Sequence, residues 1–422
     1  MSSDRHVLSR SAPSFIHLRR LTDDTGLIEH ALGRIPRRRE GYTTDDNARA
    51  LWTVTEWLSP ERSSVLAERD RILLKELADI YLAFLLWTQK ENGWFHNNVA
   101  YDRTLEPEDV SHDCQGRAVW SCADAWIRLE GARRDTAFIL LQHSLQTIGS
   151  IRSHRGQAFA LAACSDLLSA HDSGVISLPD GWKEELTNHL YRLESVLLRA
   201  FSHSSADGWK WFEPSMTYGN GVLPWALLRA FRRTENPEAL EIGLDSLSSL
   251  RAAMSSGKGG FRPIGNEKWR TRDTSSRWDQ QPLEMFKLAL AFEEAAKAIS
   301  LVQDEEVSRL ISVSSSLRPE PHGAAALGAK STDRSGHSTA PPPPLDEPLS
   351  LAEELRLARD RCLDWFYGDN DLLVLMVDPE EGACSDGLQQ NGPNMNCGAE
   401  ATISFLMTQA LCCPGNGGGN AV

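Results

Sequence analysis

Asp45-Asp46-Asn47-Ala48-Arg49-Ala50-Leu51-Trp52 and, 68 residues later, Asp113-Cys114-Gln115-Gly116-Arg117-Ala118-Val119-Trp120 share one pattern, D-x-x-x-R-A-[LV]-W. An acid and a base four residues apart face each other on a helix, and an acid in the first turn meets free N–H groups, so each copy reads as a helix start. A pattern recurring at this distance marks a repeat architecture. Working outward, segments rich in small apolar residues recur at Asp45–Leu58, Asp113–Leu129, Arg155–Leu168, Gly221–Phe231, Gln281–Ala298 and Asn396–Leu411. Helices apolar on most faces are buried helices. Between them run one-sided amphipathic stretches such as Arg71–Gln89, where Ile72, Leu73, Leu77, Ile80, Tyr81, Phe84 and Leu85 make one stripe; Thr136–Ile148, Trp182–Phe201, Ala239–Ala252 and Leu349–Trp365 read alike. The alternation predicts an all-α fold, an inner ring of apolar helices inside an outer ring of amphipathic ones: an α/α toroid of about six hairpins. Asn92-Gly93-Trp94-Phe95, Asp207-Gly208-Trp209-Lys210-Trp211-Phe212 and Gly259-Gly260-Phe261-Arg262 repeat as Gly turns followed by aromatics.

The 422 residues read as one domain over 1–411, interrupted at 318–345 by a Ser-, Ala- and Pro-rich insertion that lacks the apolar residues for a core, and followed by a mobile Gly-rich tail from 412 to 422. Lys+Arg number 44 against Asp+Glu 58, a net charge of −14 that argues against nucleic acid as a partner. Eight cysteines without a CxxC pair fit free thiols in a reducing compartment. No apolar run approaches the ~20 residues of a membrane span, and the Arg-containing start lacks a secretory apolar core. A cytoplasmic protein without membrane attachment is expected. Neither metal-ligand spacing nor a phosphate-binding glycine loop appears, so no cofactor is expected.

Leu21-Thr22-Asp23-Asp24-Thr25-Gly26, Gly41-Tyr42-Thr43-Thr44-Asp45-Asp46-Asn47-Ala48-Arg49-Ala50, Trp211-Phe212-Glu213, Asp279-Gln280-Gln281-Pro282 and Asn394-Met395-Asn396-Cys397-Gly398-Ala399-Glu400 together resemble a family of six-hairpin, glycosidase-like toroids found alone or fused behind bacterial glycosyltransferases. The resemblance covers nearly the whole chain. It implies a carbohydrate groove at one end of the inner barrel, a possible glycosyltransferase partner, and chemistry of the kind run by similar hydrolases, epimerases or lyases. This chain departs from the family at Ser111-His112-Asp113, where an acidic residue usually precedes the aspartate and a His follows later, and at Cys397, where Gln is usual.

Cleaving a glycosidic bond takes two carboxyl groups, one to protonate the leaving oxygen and one to activate water. Asp113 as general acid and Asp46 as general base, with Asp279 and Glu400 as alternates, are the expected catalytic set of an inverting glycoside hydrolase. All four sit near starts of inner helices, which in a toroid meet at one rim; the same positions also suit helix caps. Tyr42, Asp45, Arg49, Trp94, His96, Arg117, Trp211, Tyr218, Asn220, Gln280, Gln281, Asn394 and Asn396 are the expected substrate-binding residues. Trp94, Trp209, Trp211, Trp269 and Trp278 fall in rim loops, where an indole can stack on a sugar or plug the barrel end. Two rival readings are a sugar epimerase or isomerase using His96, His112 or His154, and a glycan-binding partner without turnover.

Overall fold

A computed structural model describes residues 12–257, 259–302 and 349–413. The expected insertion at 318–345 lies outside the described residues, as does the tail from 414. Cys412, expected in the tail, instead ends the last helix and is buried.

The helices are α1 (Ile16–Leu21), α2 (Thr44–Trp57), α3 (Pro60–Ser63), α4 (Glu68–Thr88), α5 (His112–Arg128), α6 (Gly131–Ser144), α7 (His154–Asp172), α8 (Trp182–Ser204), α9 (Val222–Thr234), α10 (Pro237–Ala253), α11 (Pro282–Ile299), α12 (Leu351–Phe366) and α13 (Ala399–Cys412). Helices α2, α5, α7, α9, α11 and α13 each pack on the next, and α13 packs back on α2, closing an inner ring. Outside it, α4, α6, α8, α10 and α12 pack on the inner helix that precedes each of them, while short α1 lies against α13. The protein is an all-α toroid of six hairpins, the last assembled from the two ends of the described chain. Among the described residues no helix is long and apolar enough to cross a membrane.

The inner ring closes on an aromatic plug. Trp52, Trp120, Phe159, Trp225 and Phe286 come one each from α2, α5, α7, α9 and α11, with ring centroids 5.1–6.4 Å apart. These rings fill the axis that six helices leave open, which explains why mid-helix tryptophans recur in the motif. Where α5 meets α7 the backbones nearly touch: a Cβ on Gly116 would stand 2.2 Å from the Gly156 carbonyl oxygen.

Four two-residue antiparallel ladders decorate one end. They are β1 (Ala31–Leu32) with β2 (Ile35–Pro36), β3 (Tyr42–Thr43) with β4 (Asn98–Val99), β5 (Val377–Asp378) with β6 (Ala383–Cys384), and β7 (Leu388–Gln389) with β8 (Gly392–Pro393). They hold the loops that enter α2 and α13.

Candidate functional site

Hydroxyl side chains, not the acids, cap the inner helices α2, α5 and α7 at this end. Thr43 accepts from the Asp46 N–H, Ser111 from the Cys114 N–H and Ser153 from the Gly156 N–H. With the caps supplied, Asp45, Asp46 and Asp113 are released from that duty and turn into a cavity of about 420 Å³ at the barrel mouth. Residues from the starts of α2, α5, α11 and α13 line it together, so these inner helices run parallel and open on one rim.

Six carboxyl groups face the cavity: Glu29, Asp45, Asp46, Asp113, Asp386 and Glu400. Asp45 bonds Arg49 one turn on at 2.8 Å and also pairs with Arg117 of the neighbouring helix. The motif's second arginine therefore reaches across to the first motif's aspartate and leaves its own Asp113 alone. Arg49 pairs with Glu400 of α13 and stands 3.7 Å from Asp46. For Glu400, burial would raise the carboxyl, yet Arg49 and then Arg117 outweigh it and hold the group below the usual range. Arg117 itself, fully buried, is drawn down to about 10 by lost hydration.

Asp46 is different. It is 5 % exposed, and burial outweighs the pull of Arg49 and the Thr43 hydroxyl, so its carboxyl is pushed up to about 7, with Glu29 and Glu400 adding repulsion. Asp386 is raised to about 6, again chiefly by burial, and Glu29 rises for the same reason. Asp113 is held by two neutral donors, the Ser153 hydroxyl on one oxygen and the Tyr218 phenol on the other.

Of the residues expected from the sequence, Asp45, Asp46, Arg49, Asp113, Arg117, Tyr218, Gln281 and Glu400 line the cavity together. Others are elsewhere for identifiable reasons. Asp279 precedes α11 at φ +60°, half-buried, outside the lining. Gln280 is buried, its backbone bridged to Leu388 and its side-chain amide spent on the Arg277 carbonyl and Asp371. Asn220 donates to Glu284 at 2.8 Å, and Tyr42 is buried with its hydroxyl on Asp23. Asn394 and Asn396 stitch loops, Asn396 accepting from the Gly33 N–H. Trp211, expected among the substrate-binding residues, has no exposed surface, and Trp209 donates to the Glu213 carbonyl, so both take the plugging one of the two roles open to the loop tryptophans. Trp94 packs edge-on against His112, Trp278 carries the Arg277 guanidinium at 4.9 Å, and Trp269 lies 6.4 Å from the Tyr218 ring; no described tryptophan lines the cavity. His96 is buried between the Asn98 carbonyl and Glu108, and His154 faces Glu213.

The sequence reading missed Glu29, His30, Thr43, Asn97, Asn98, Ser111 and Asp386. Ser111 and Thr43 were recoverable as hydroxyls just ahead of acidic helix starts. Glu29 and Asp386 carry no local signal: the Ala399 N–H on the Glu29 carbonyl and the Gly398 N–H on Asp386 bring them in from distant loops.

Neither a family model nor a curated protein matches the chain. Solved structures do match in fold. A cellobiose 2-epimerase from Bacillus thermoamylovorans aligns with a TM-score of 0.61 at 9 % identity, over 93 % of this chain and 95 % of that one. A D-mannose isomerase gives 0.56 at 11 % identity over 94 % and 93 %, and an α-1,6-mannanase from Salegentibacter gives 0.54 at 12 % over 94 % and 95 %. The chain thus shares the six-hairpin toroid of carbohydrate-active enzymes.

Proposed function

We propose that this protein is a carbohydrate-active enzyme, a glycoside hydrolase that cleaves an oligosaccharide or glycan by an inverting two-carboxyl route. The observation that carries it is the pairing, in one cavity, of Asp46 raised to about 7 with Asp113 on the neighbouring helix, held by two hydroxyl donors. A carboxyl at about 7 keeps its proton in about half of the molecules at neutrality and suits the general acid, whereas Asp113, placed on the neighbouring helix with a hydroxyl on each oxygen, suits the base. The roles expected from the sequence are therefore exchanged. Asp46 gives its proton to the glycosidic oxygen as the C–O bond breaks; Asp113 takes a proton from the water whose oxygen bonds to the anomeric carbon. Arg49 and Arg117, with Gln281, Asn97 and Asn98, offer donors and acceptors to sugar hydroxyls.

Three of these neighbours give context. A variant of the α-1,6-mannanase with two adjacent aspartates replaced is described as inactive and was seen with α-1,6-mannotriose; Asp45-Asp46 is an adjacent pair here. The epimerase and isomerase neighbours keep a second reading in view, but His96, His112 and His154 do not line the cavity; among the described histidines His30 does. The proposal extends to a glycosyltransferase partner, from the family resemblance, and to the cytoplasm, from eight cysteines without a CxxC pair, seven of them buried.

Incubation with an oligosaccharide panel tests it. New reducing ends, with the anomeric product of inversion by NMR and turnover lost in Asp46→Asn and Asp113→Asn, are expected. Conserved mass with a changed sugar configuration points to epimerisation instead, and saturable binding without turnover to a glycan binder.

A further inference from the structure

The loop that brings Tyr218 to Asp113 has no regular structure of its own, yet its position is fixed from both sides by buried charged groups of two inner helices. Arg155, in the first turn of α7, donates through Nε to the Tyr218 carbonyl, and its guanidinium lies 4.6 Å from the centre of the Tyr218 ring. The same guanidinium holds both Glu213 oxygens at 3.1 Å and the Thr217 hydroxyl at 2.9 Å. From the other side Glu284, in the first turn of α11 and 1 % exposed, accepts from the Gly219 N–H, the Asn220 N–H at 3.3 Å and the Asn220 amide at 2.8 Å. Neither Arg155 nor Glu284 lines the cavity.

A buried carboxylate costs several kcal/mol in lost hydration unless donors replace the water. Here the three hydrogen bonds that Glu284 accepts come from the two residues directly after Tyr218. Packing alone would be served by an apolar residue at 284; what a carboxylate adds is a fixed placement of two successive backbone N–H groups, and Gly219 at φ +57° takes the left-handed turn that presents its own. Tyr218 is 39 % exposed, so without these anchors its ring has room to leave Asp113.

We infer that Glu284 and Arg155 are positioning residues that lock the Tyr218 hydroxyl onto Asp113, making the Asp113 base competent only when the Met216–Gly221 loop is seated between α7 and α11. The inference rests on the reading of Asp113 as the base, but its physical core, the coupling of Glu284 to the Tyr218–Asp113 bond, is measurable without turnover.

The Tyr218 phenol provides the signal. Burial first, and then the Asp113 charge and hydrogen bond, push it up to about 12. With ¹³Cζ-labelled tyrosine and six tyrosines in the chain, the Tyr218 resonance is assigned by its loss in Tyr218→Phe. In the unmodified protein it is expected to stay largely protonated up to about pH 11. In Glu284→Gln, whose amide N–H₂ faces donors and unseats the loop, phenolate formation is expected to move toward the ordinary ~10, with kcat down ~10-fold or more and KM little changed. Glu284→Asp, which keeps the charge, should restore part of both. A Tyr218 titration unmoved in Glu284→Gln, in a protein shown folded by near-UV dichroism, overturns the inference. A moved titration with turnover intact in Asp113→Asn keeps the coupling and sinks the hydrolytic reading instead.

Discussion

Asp46 stores a conflict between stability and chemistry. Its carboxyl titrates at about 7 in the fold against about 3.8 when solvated, so the folded state holds the proton more tightly. The unfolded chain then binds fewer protons between those values, and stability falls as pH rises through that window, by on the order of 4 kcal/mol in full above pH 7. Asp46→Asn, which cannot ionise, should melt at nearly the same temperature as the unmodified protein at pH 4 and at a higher one at pH 8, while turnover drops ~100-fold or more. Melting curves at the two pH values check the first, and an equal gap at both refutes it. Lys287 stores a similar conflict beneath the site. It is buried with no hydrogen-bond partner for Nζ among the described residues, lies 4.0 Å from the Phe286 ring centre and 4.8 Å from that of Trp52, and is drawn well below its ordinary value by burial, then by Arg117 and Arg49. The unfolded state takes up the proton more readily, so stability climbs with pH as the amine loses its charge on both sides. Lys287→Met should stabilise the protein by about 1–3 kcal/mol at neutral pH, with the gap narrowing toward alkaline pH in urea titrations.

At the scale of elements, the contact of α5 with α7 sets the site. Gly116→Ala places a methyl 2.2 Å from a carbonyl oxygen that cannot move without shifting α7, so it should cost ~3 kcal/mol or more and part the Asp113–Ser153 bond that crosses the same seam. Gly149→Ala, whose methyl would meet only a His189 carbon at 3.8 Å, is the matched control and should be near neutral in the same urea midpoint measurement. These helices were legible in the sequence because burial writes itself into composition: all six inner segments were placed within about four residues at either end, and the repeated D-x-x-x-R-A-[LV]-W marked the rim. The last ran early, since Asn396 belongs to the loop and α13 starts at Ala399. The site was legible only where it coincides with helix starts. The pairing of Arg117 with Asp45 in place of Asp113 depends on the angle between two helices, and no spacing in the chain encodes it. The loop tryptophans misled for a related reason: a polar, Gly-containing loop reads as exposed, but the barrel end offers apolar surface that buries Trp209 and Trp211 as soon as the loop folds back.

For the whole molecule, the ring is closed by its last described helix. Helix α13 supplies the Leu406 carbonyl to the Trp57 indole at 3.1 Å and the Ala410 carbonyl to Arg62 at 2.7 Å, and its Glu400 ties to Arg49 at the opposite edge of the seam. Without it, α2 and α11 each face an open gap, and the apolar side chains buried there meet water at ~25 cal/mol per Å². The contacts that close the ring also join residues roughly 350 apart in sequence, so their loop-closure cost falls on the final step of assembly. A chain ending at Cys397 is therefore expected to keep most of its far-UV helix signal, since every other hairpin retains its partner, but to lose near-UV dichroism, bind the dye ANS and unfold without a cooperative heat-absorption peak, as a loosened globule does. A chain ending at Cys413 should match the 422-residue chain in all four measurements. A sharp cooperative transition in the shorter chain would show that five hairpins suffice and that the sixth serves the cavity alone.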